Sequence, residues 1–317
     1  MKDFPLSALP ATTRVSVIVL TRNRLEVVRN CVHSILRQRH RDFELVILDD
    51  ASDTCDTAAA IASEFRDPRI RAFRVPRSLG VAGGRNSLMD KARGEILVAI
   101  DDDAVFVAEN ALDEVCRAFD REPTVGAVAF KITNVVNGKR KPRIPLRRSL
   151  IARNPAIAST PTSVSYFIGC GHAIRRRVVH ECGAYRRDMV YGEEELDLAY
   201  RVIQAGYQIH YDPSIEVDHF PSPSVVGRSN QRARAELFYH VRNRAYLAYR
   251  YLPWRYALVY LGIWSIRYIA DSLRQGKVLD FLRGVVATPQ FLRGVKREVL
   301  NRQALAYLTK HGGRLWY

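Results

Sequence analysis

Apolar, β-branched residues dominate Val15–Leu20 (VSVIVL), the pattern of a strand buried on both faces of a parallel sheet. Leu25, Val28, Val32, Ile35 and Leu36 then recur at helical spacing within Arg24–Gln38. The alternation continues. Glu44–Leu48 (ELVIL) reads as strand, Ala58–Phe65 as helix and Ile70–Val75 as strand. Gly80–Gly84 reads as a loop, Arg85–Lys91 as helix and Glu95–Ile100 (EILVAI) as strand, followed by helix at Asn110–Phe119 and strand at Val125–Phe130. Such βαβα order with short connections predicts an α/β fold, a mostly parallel sheet with helices on both faces. Ligands in these sheets bind at the carboxyl ends of the strands. Asn134–Ser165 is polar and rich in Pro, Ser and Thr, and is expected to be irregular. Regular structure resumes at Tyr166–Ile174, with a helix at about Glu194–Ala205 and a strand at Gln208–Tyr211.

Composition narrows the class. The chain has 317 residues, 47% hydrophobic and 26% charged, which excludes disordered and collagen-like proteins. Its net charge of +16 is unevenly placed. Residues 226–317 carry 17 Lys/Arg against four acids, a net +13, leaving +3 for residues 1–225. A catalytic domain over 1–225 and a basic helical region over 226–317 are therefore expected. The five cysteines, Cys31, Cys55, Cys116, Cys170 and Cys182, are odd in number and form no CxxC pair, which argues for reduced thiols in a cytoplasmic setting. The N-terminal residues lack the apolar core of a signal peptide. The longest uncharged apolar stretch, Tyr256–Ile266, falls short of the roughly 20 residues a membrane span needs.

In the last third, Leu237, Val241, Ala245, Ala248 and Leu252 trace one helix face, with Arg232, Arg242, Arg250 and Arg255 elsewhere on the wheel. Trp254, Tyr256, Tyr260, Trp264 and Tyr268 are interleaved with arginines. This pattern suits an anionic membrane surface and peripheral attachment at the inner face of the cell membrane. The competing reading packs the same apolar face on the catalytic domain or on a second subunit of a homo-oligomer. The basic charge also raises nucleic acid as a partner, but no recognition motif accompanies it, so no nucleic-acid partner is expected.

The chemistry concentrates at strand ends. Asp49-Asp50 follows ELVIL, and Asp101-Asp102-Asp103 follows EILVAI. One acid at a strand exit is a turn former or cap, whereas three in succession need a positive partner, such as a hard divalent cation with oxygen ligands. Glu193-Glu194-Glu195 opens another helix with more acid than its dipole requires.

Taken in order, VIVLTRNR, FELVILDDAS, LGVAGGRNSLMDKARGEILVAIDDDA and YGEEELDLAYRVIQAGYQIHYDPSIEVDHF resemble the GT-A glycosyltransferases of family 2, over about residues 14–220. The resemblance implies inverting transfer from a nucleotide-diphosphate sugar, with Mg²⁺ or Mn²⁺, to a hydroxyl of a glycan or lipid-linked acceptor. It places Thr21, Asn23 and Asp50 on the nucleotide side, Asp101 and Asp102 in the DxD strand end, and Asp103 as metal ligand. Arg85 is expected to reach the phosphates with its forked donors. Aligned through Asp197, Leu198 and Arg201, the family's Glu-Asp pair falls on Glu194-Glu195, which makes Glu195 the expected base and Glu194 the second choice. His219 resembles the late histidine that completes the metal shell. A catalytically inactive membrane scaffold with the same fold is the alternative, and the intact acidic set argues against it.

Overall fold

The computed structural model describes residues 12–221, 229–313 and 315. The N-terminal segment, the boundary at 225/226 and the Arg232 side chain lie outside the described residues. Strands β1 (Thr13–Thr21), β2 (Phe43–Asp49), β3 (Ile70–Arg74) and β4 (Gly94–Ile100) run parallel in the order β3-β2-β1-β4. Helices α1 (Leu25–Leu36), α2 (Thr57–Phe65) and α3 (Gly80–Lys91) make the crossovers. All of β2 is buried, because helices cover both faces, and this is why ELVIL shows no polar alternation.

Beyond β4 the chain forms β5 (Ala104–Phe106), α4 (Ala111–Arg121), β6 (Val125–Val136), β7 (Lys139–Arg143) and α5 (Arg148–Arg153). Then come β8 (Thr162–Val164), β9 (Gly171–Arg175), α6 (Arg176–Cys182), α7 (Glu194–Gln204) and β10 (Gln208–His219). The sheet continues β4-β9-β6-β10-β5. β9 is antiparallel to both β4 and β6, while β10 is parallel to β6. The segment leading into β9 therefore lies at the same sheet edge as the carboxyl ends of β1, β2, β4 and β10.

Three local expectations need correction. Gly80–Gly84 is the first part of α3, not a loop. The helix-weakening glycines are tolerated because α3 lies close on β1: a Cβ on Gly84 would stand 2.4 Å from a Leu20 methyl. Asn134–Ser165 is largely regular, since β6 and β7 form a hairpin closed by Asn137-Gly138, both at positive φ as a tight hairpin turn demands. Gln208–Tyr211 is the start of a longer strand that runs through a bulge at Asp212/Glu216 to His219.

The last third forms α8 (Ser229–Tyr251), α9 (Trp254–Gln275), α10 (Val278–Leu292) and α11 (Arg302–Lys310). The α8 stripe expected to meet a membrane faces inward: Val241, Ala248 and Leu252 are buried, and Leu237 and Ala245 are half-buried. Tyr260, Trp264 and Tyr268 of α9 are buried as well. All of these buried residues belong to one apolar core with Leu196 and Leu198 of α7 and Ile18 and Val46 of the sheet. Packing on the catalytic part thus accounts for this stripe. Among the described residues no helix is long and apolar enough to cross a membrane. All five cysteines are free.

Candidate active site

Five described non-glycine residues have positive φ, and three of them, Asn23, Ala51 and Glu193, stand at the carboxyl edge of the sheet. Such backbone persists only where surrounding contacts hold it. Asn23 is held by its amide: Oδ1 accepts from the Asp53 N–H at 2.7 Å and Nδ2 donates to Asp53 Oδ2 at 3.2 Å, tying the β1 exit to the β2 exit. Asp49 is wholly buried and accepts the backbone N–H groups of Ser52 and Thr57, so it is a cap. Asp50 accepts from Ser78 Oγ at 2.6 Å and from the N–H groups of Leu79 (2.6 Å) and Gly80 (3.2 Å). It thereby fixes the segment entering α3.

The three consecutive aspartates divide their work. Asp102 turns inward: Thr21 Oγ1 donates to it at 2.8 Å and Arg24 Nη1 at 2.8 Å. Burial pushes its pKa up to about 6, against the pull of Arg24 and with the Asp103 charge adding to the rise. Asp103 accepts from the same Arg24 Nη1 at 3.0 Å, and its other oxygen lies 3.2 Å from His219 Nε2. Burial opposes the Asp103 charge, but His219 and Arg24 outweigh it and hold the carboxyl below its ordinary range. Arg24 was given no role from the sequence, although it closes the Thr-x-Asn-Arg exit of β1. Its guanidinium offsets part of the negative charge that the triple-Asp run concentrates.

Asp101, Cys170 and His219 present ligand atoms within 4.8 Å of one another. Burial pushes the Cys170 thiol well up, so it is a poor partner for a hard cation. The donor set of Asp101, Asp103 and His219 fits Mg²⁺ or Mn²⁺. His219 Nδ1 lies 2.9 Å from Asn134 Oδ1 and Nε2 lies 3.2 Å from Asp103 Oδ1, so both ring nitrogens have partners. An outer hydrogen bond such as the one to Asn134 orients metal-binding imidazoles.

Arg85 lies in α3 and is buried. Its Nη2 donates to Asp101 Oδ1 at 2.8 Å and to the Gly169 carbonyl at 2.9 Å, while Nη1 donates to Glu195 Oε1 at 3.1 Å. One guanidinium therefore joins the DxD aspartate to the expected base. Beneath it lies the Tyr185 ring, 5.6 Å away, whose backbone is held at both ends by the Asn86 amide. Gly169 makes room for this arrangement: a Cβ there would stand 1.9 Å from Glu195 Oε1.

The three consecutive glutamates also separate. Glu193 pairs with Arg244 of α8 at 2.8 Å and with His240 at 3.1 Å. Glu194 is buried, and its Oε2 has no hydrogen-bond partner. Burial, then the adjacent Glu195 charge, pushes its pKa well up. Glu195 alone reaches Arg85.

His172 is fully buried between the Ile168 carbonyl and the Tyr185 hydroxyl and is stacked on Phe167. Burial, with the Arg85 charge, pushes its pKa down to about 3. The unfolded chain takes up this proton near pH 6.5, so His172 costs nothing above that pH and progressively destabilises the fold as pH falls toward 3. By pH 5 the loss through this residue should be about 2 kcal/mol. Urea unfolding of His172→Gln should show a correspondingly flatter stability slope between pH 7 and 5, and an unchanged slope would refute this.

The structure thus gathers Thr21, Asn23, Asp50, Arg85, Asp101, Asp102, Asp103, Glu194, Glu195 and His219 along one sheet edge. Of these, Asp101, Glu195 and His219 keep partly exposed side chains, while Arg85 and Asp103 are buried beside them. Thr21, Asn23 and Asp102 are engaged in internal hydrogen bonds.

Protein y4gI of Sinorhizobium fredii is 28% identical over 233 residues, 68% of this chain, and the match spans only 25% of that longer protein. WcaA of Escherichia coli K12, by name a colanic acid biosynthesis glycosyl transferase, is 22% identical over 293 residues, 86% of this chain and 99% of WcaA. Among solved structures, GalNAc-T7 with UDP, GalNAc and Mn²⁺ superposes with a TM-score of 0.60 at 18% identity, covering 78% of this chain and 49% of that one, a likeness of fold. The family model described as Glycosyl transferase family 2 matches residues 16–183, which hold most of β1, all of β2 to β4, the three aspartates and Arg85. With just over half its length so matched, this chain belongs to glycosyl transferase family 2.

Proposed function

We propose that the protein transfers a sugar from a nucleotide-diphosphate sugar to a hydroxyl of a glycan or lipid-linked acceptor, with inversion, in one displacement. The observation that carries this reading is the Asp101–Arg85–Glu195 bridge, which holds a carboxylate base one guanidinium away from the metal-binding acids. Asp101, Asp103 and His219 would hold the divalent cation. When bound, that cation neutralises the charge that grows on the leaving diphosphate, so it favours the transition state over the ground state. Glu195 takes the acceptor proton as the hydroxyl attacks from the opposite face. Asp50, Thr21 and Asn23 frame the nucleotide pocket by fixing the backbone around it.

A panel of nucleotide-diphosphate sugars, tested by thermal shift with Mn²⁺ and with chelator, identifies the donor. Donor at one hundred times its Kd should stabilise the fold by about 2.7 kcal/mol. Chelation and Asp103→Ala should each remove most of that gain. Full metal-dependent turnover by Asp103→Ala would overturn the reading.

A further inference from the structure

The α8 stripe turned inward, yet the two helices after it leave an apolar surface uncovered. α9 directs Ala257, Tyr260, Trp264, Tyr268 and Ser272 into the protein. Its other side presents Leu258, Ile266 and Leu273, each 66–70% exposed. α10 packs on α8 and α9 and presents Leu279, Leu282 and Val286, the last 77% exposed. Single exposed leucines are ordinary, whereas a set of six along one helical hairpin marks an interaction face. Arg255, Arg267, Arg274 and Arg283 are exposed on the same two helices. The two acids there are offset: Asp280 is buried, and Asp271 lies 4.0 Å from Arg267.

We propose that this face of α9 and α10 docks on an anionic lipid bilayer, with the six aliphatic side chains toward the acyl region and the arginines against lipid phosphates. The charge pattern selects this occupant. A second copy meeting the same face about a two-fold axis would bring arginine-rich surfaces against each other, while anionic headgroups neutralise them. The 22 residues of α9 span about 33 Å, but the helix is not apolar enough to cross, so it lies in the headgroup plane. This inference does not depend on the sugar-transfer reading, and either can fail alone.

The test is co-sedimentation of the full chain with vesicles of phosphatidylcholine containing about 30% phosphatidylglycerol, against phosphatidylcholine alone. The protein should partition to the anionic vesicles and be released as salt rises. Ile266→Glu with Leu282→Glu should weaken partition about tenfold or more. Both sites are exposed, so the circular-dichroism spectrum and the donor-induced thermal shift should stay as in the parent. Three results would overturn the proposal. These are no partition of the parent chain, equal partition of the double variant, or a solution dimer that the substitutions break while vesicles bind neither protein.

Discussion

Glu195→Gln is expected to lower kcat for sugar transfer by about 10²- to 10⁴-fold, the usual contribution of a positioned general base. The amide keeps the length of the side chain and can still accept from Arg85 Nη1, so the site should keep its shape. What it loses is the capacity to take a proton from the acceptor hydroxyl. Donor affinity should therefore change little, and the loss should fall on kcat and kcat/KM together. Glu194→Gln is the control for register. Its carboxyl lies one residue earlier and does not contact Arg85, so its effect should be the smaller of the two. A larger loss in Glu194→Gln would move the base by one residue. Steady-state transfer kinetics, with donor binding measured separately, decide between these outcomes.

Arg244→Met should destabilise the protein by about 3–5 kcal/mol, the range for breaking one side of a buried ion pair. Arg244 is enclosed: Glu193 lies 2.8 Å away, the hydroxyls of Tyr260 and Tyr268 at 2.7 and 2.6 Å, and the Trp264 ring 3.5 Å below the guanidinium. Burial opposes this charge, but Glu193 and the two tyrosine hydroxyls outweigh it and hold it well above its ordinary range. Removing it takes the guanidinium partner from a buried Glu193 carboxylate on left-handed backbone and leaves that carboxylate facing His240. Pairing the change with Glu193→Gln should recover part of the loss, since the uncompensated charge goes too. Urea unfolding of the two single variants and the double variant measures the coupling. Additive losses would show that the pair is not the source of the stability.

The parallel half of the sheet was legible because buried strands write uninterrupted apolar runs, and VSVIVL, ELVIL and EILVAI do so. The acids of the site were legible because aspartates and glutamates in threes exceed what capping can use. Their division of labour was not, since it depends on partners far along the chain: Arg24 for Asp102, Arg85 for Glu195 and Arg244 for Glu193. Arg85 itself was expected to be free for phosphate and is instead committed to two carboxylates. The tail shows the limit of periodicity. A stripe at helical spacing says that one face is apolar, and Leu237 to Leu252 turned out to pack inward while α9 and α10 kept their apolar sides open. The Asn137-Gly138 hairpin was a missed signal, since that dipeptide between extended segments is a strong local mark of a tight turn.

The Glu193–Arg244 pair, together with the Tyr251 hydroxyl donating to Asp197 at 2.7 Å, has a consequence for the order in which the protein becomes active. α7 carries the proposed base, yet its start is anchored by side chains from α8, and Arg244 in turn rests on α9. A ribosome that has just completed β10 has made every residue of the proposed site but none of these supports. At about 5–20 residues per second, the segment through α9 takes several seconds more to synthesise. A nascent chain should therefore stay silent toward donor and acceptor until α9 has emerged and closed over Arg244.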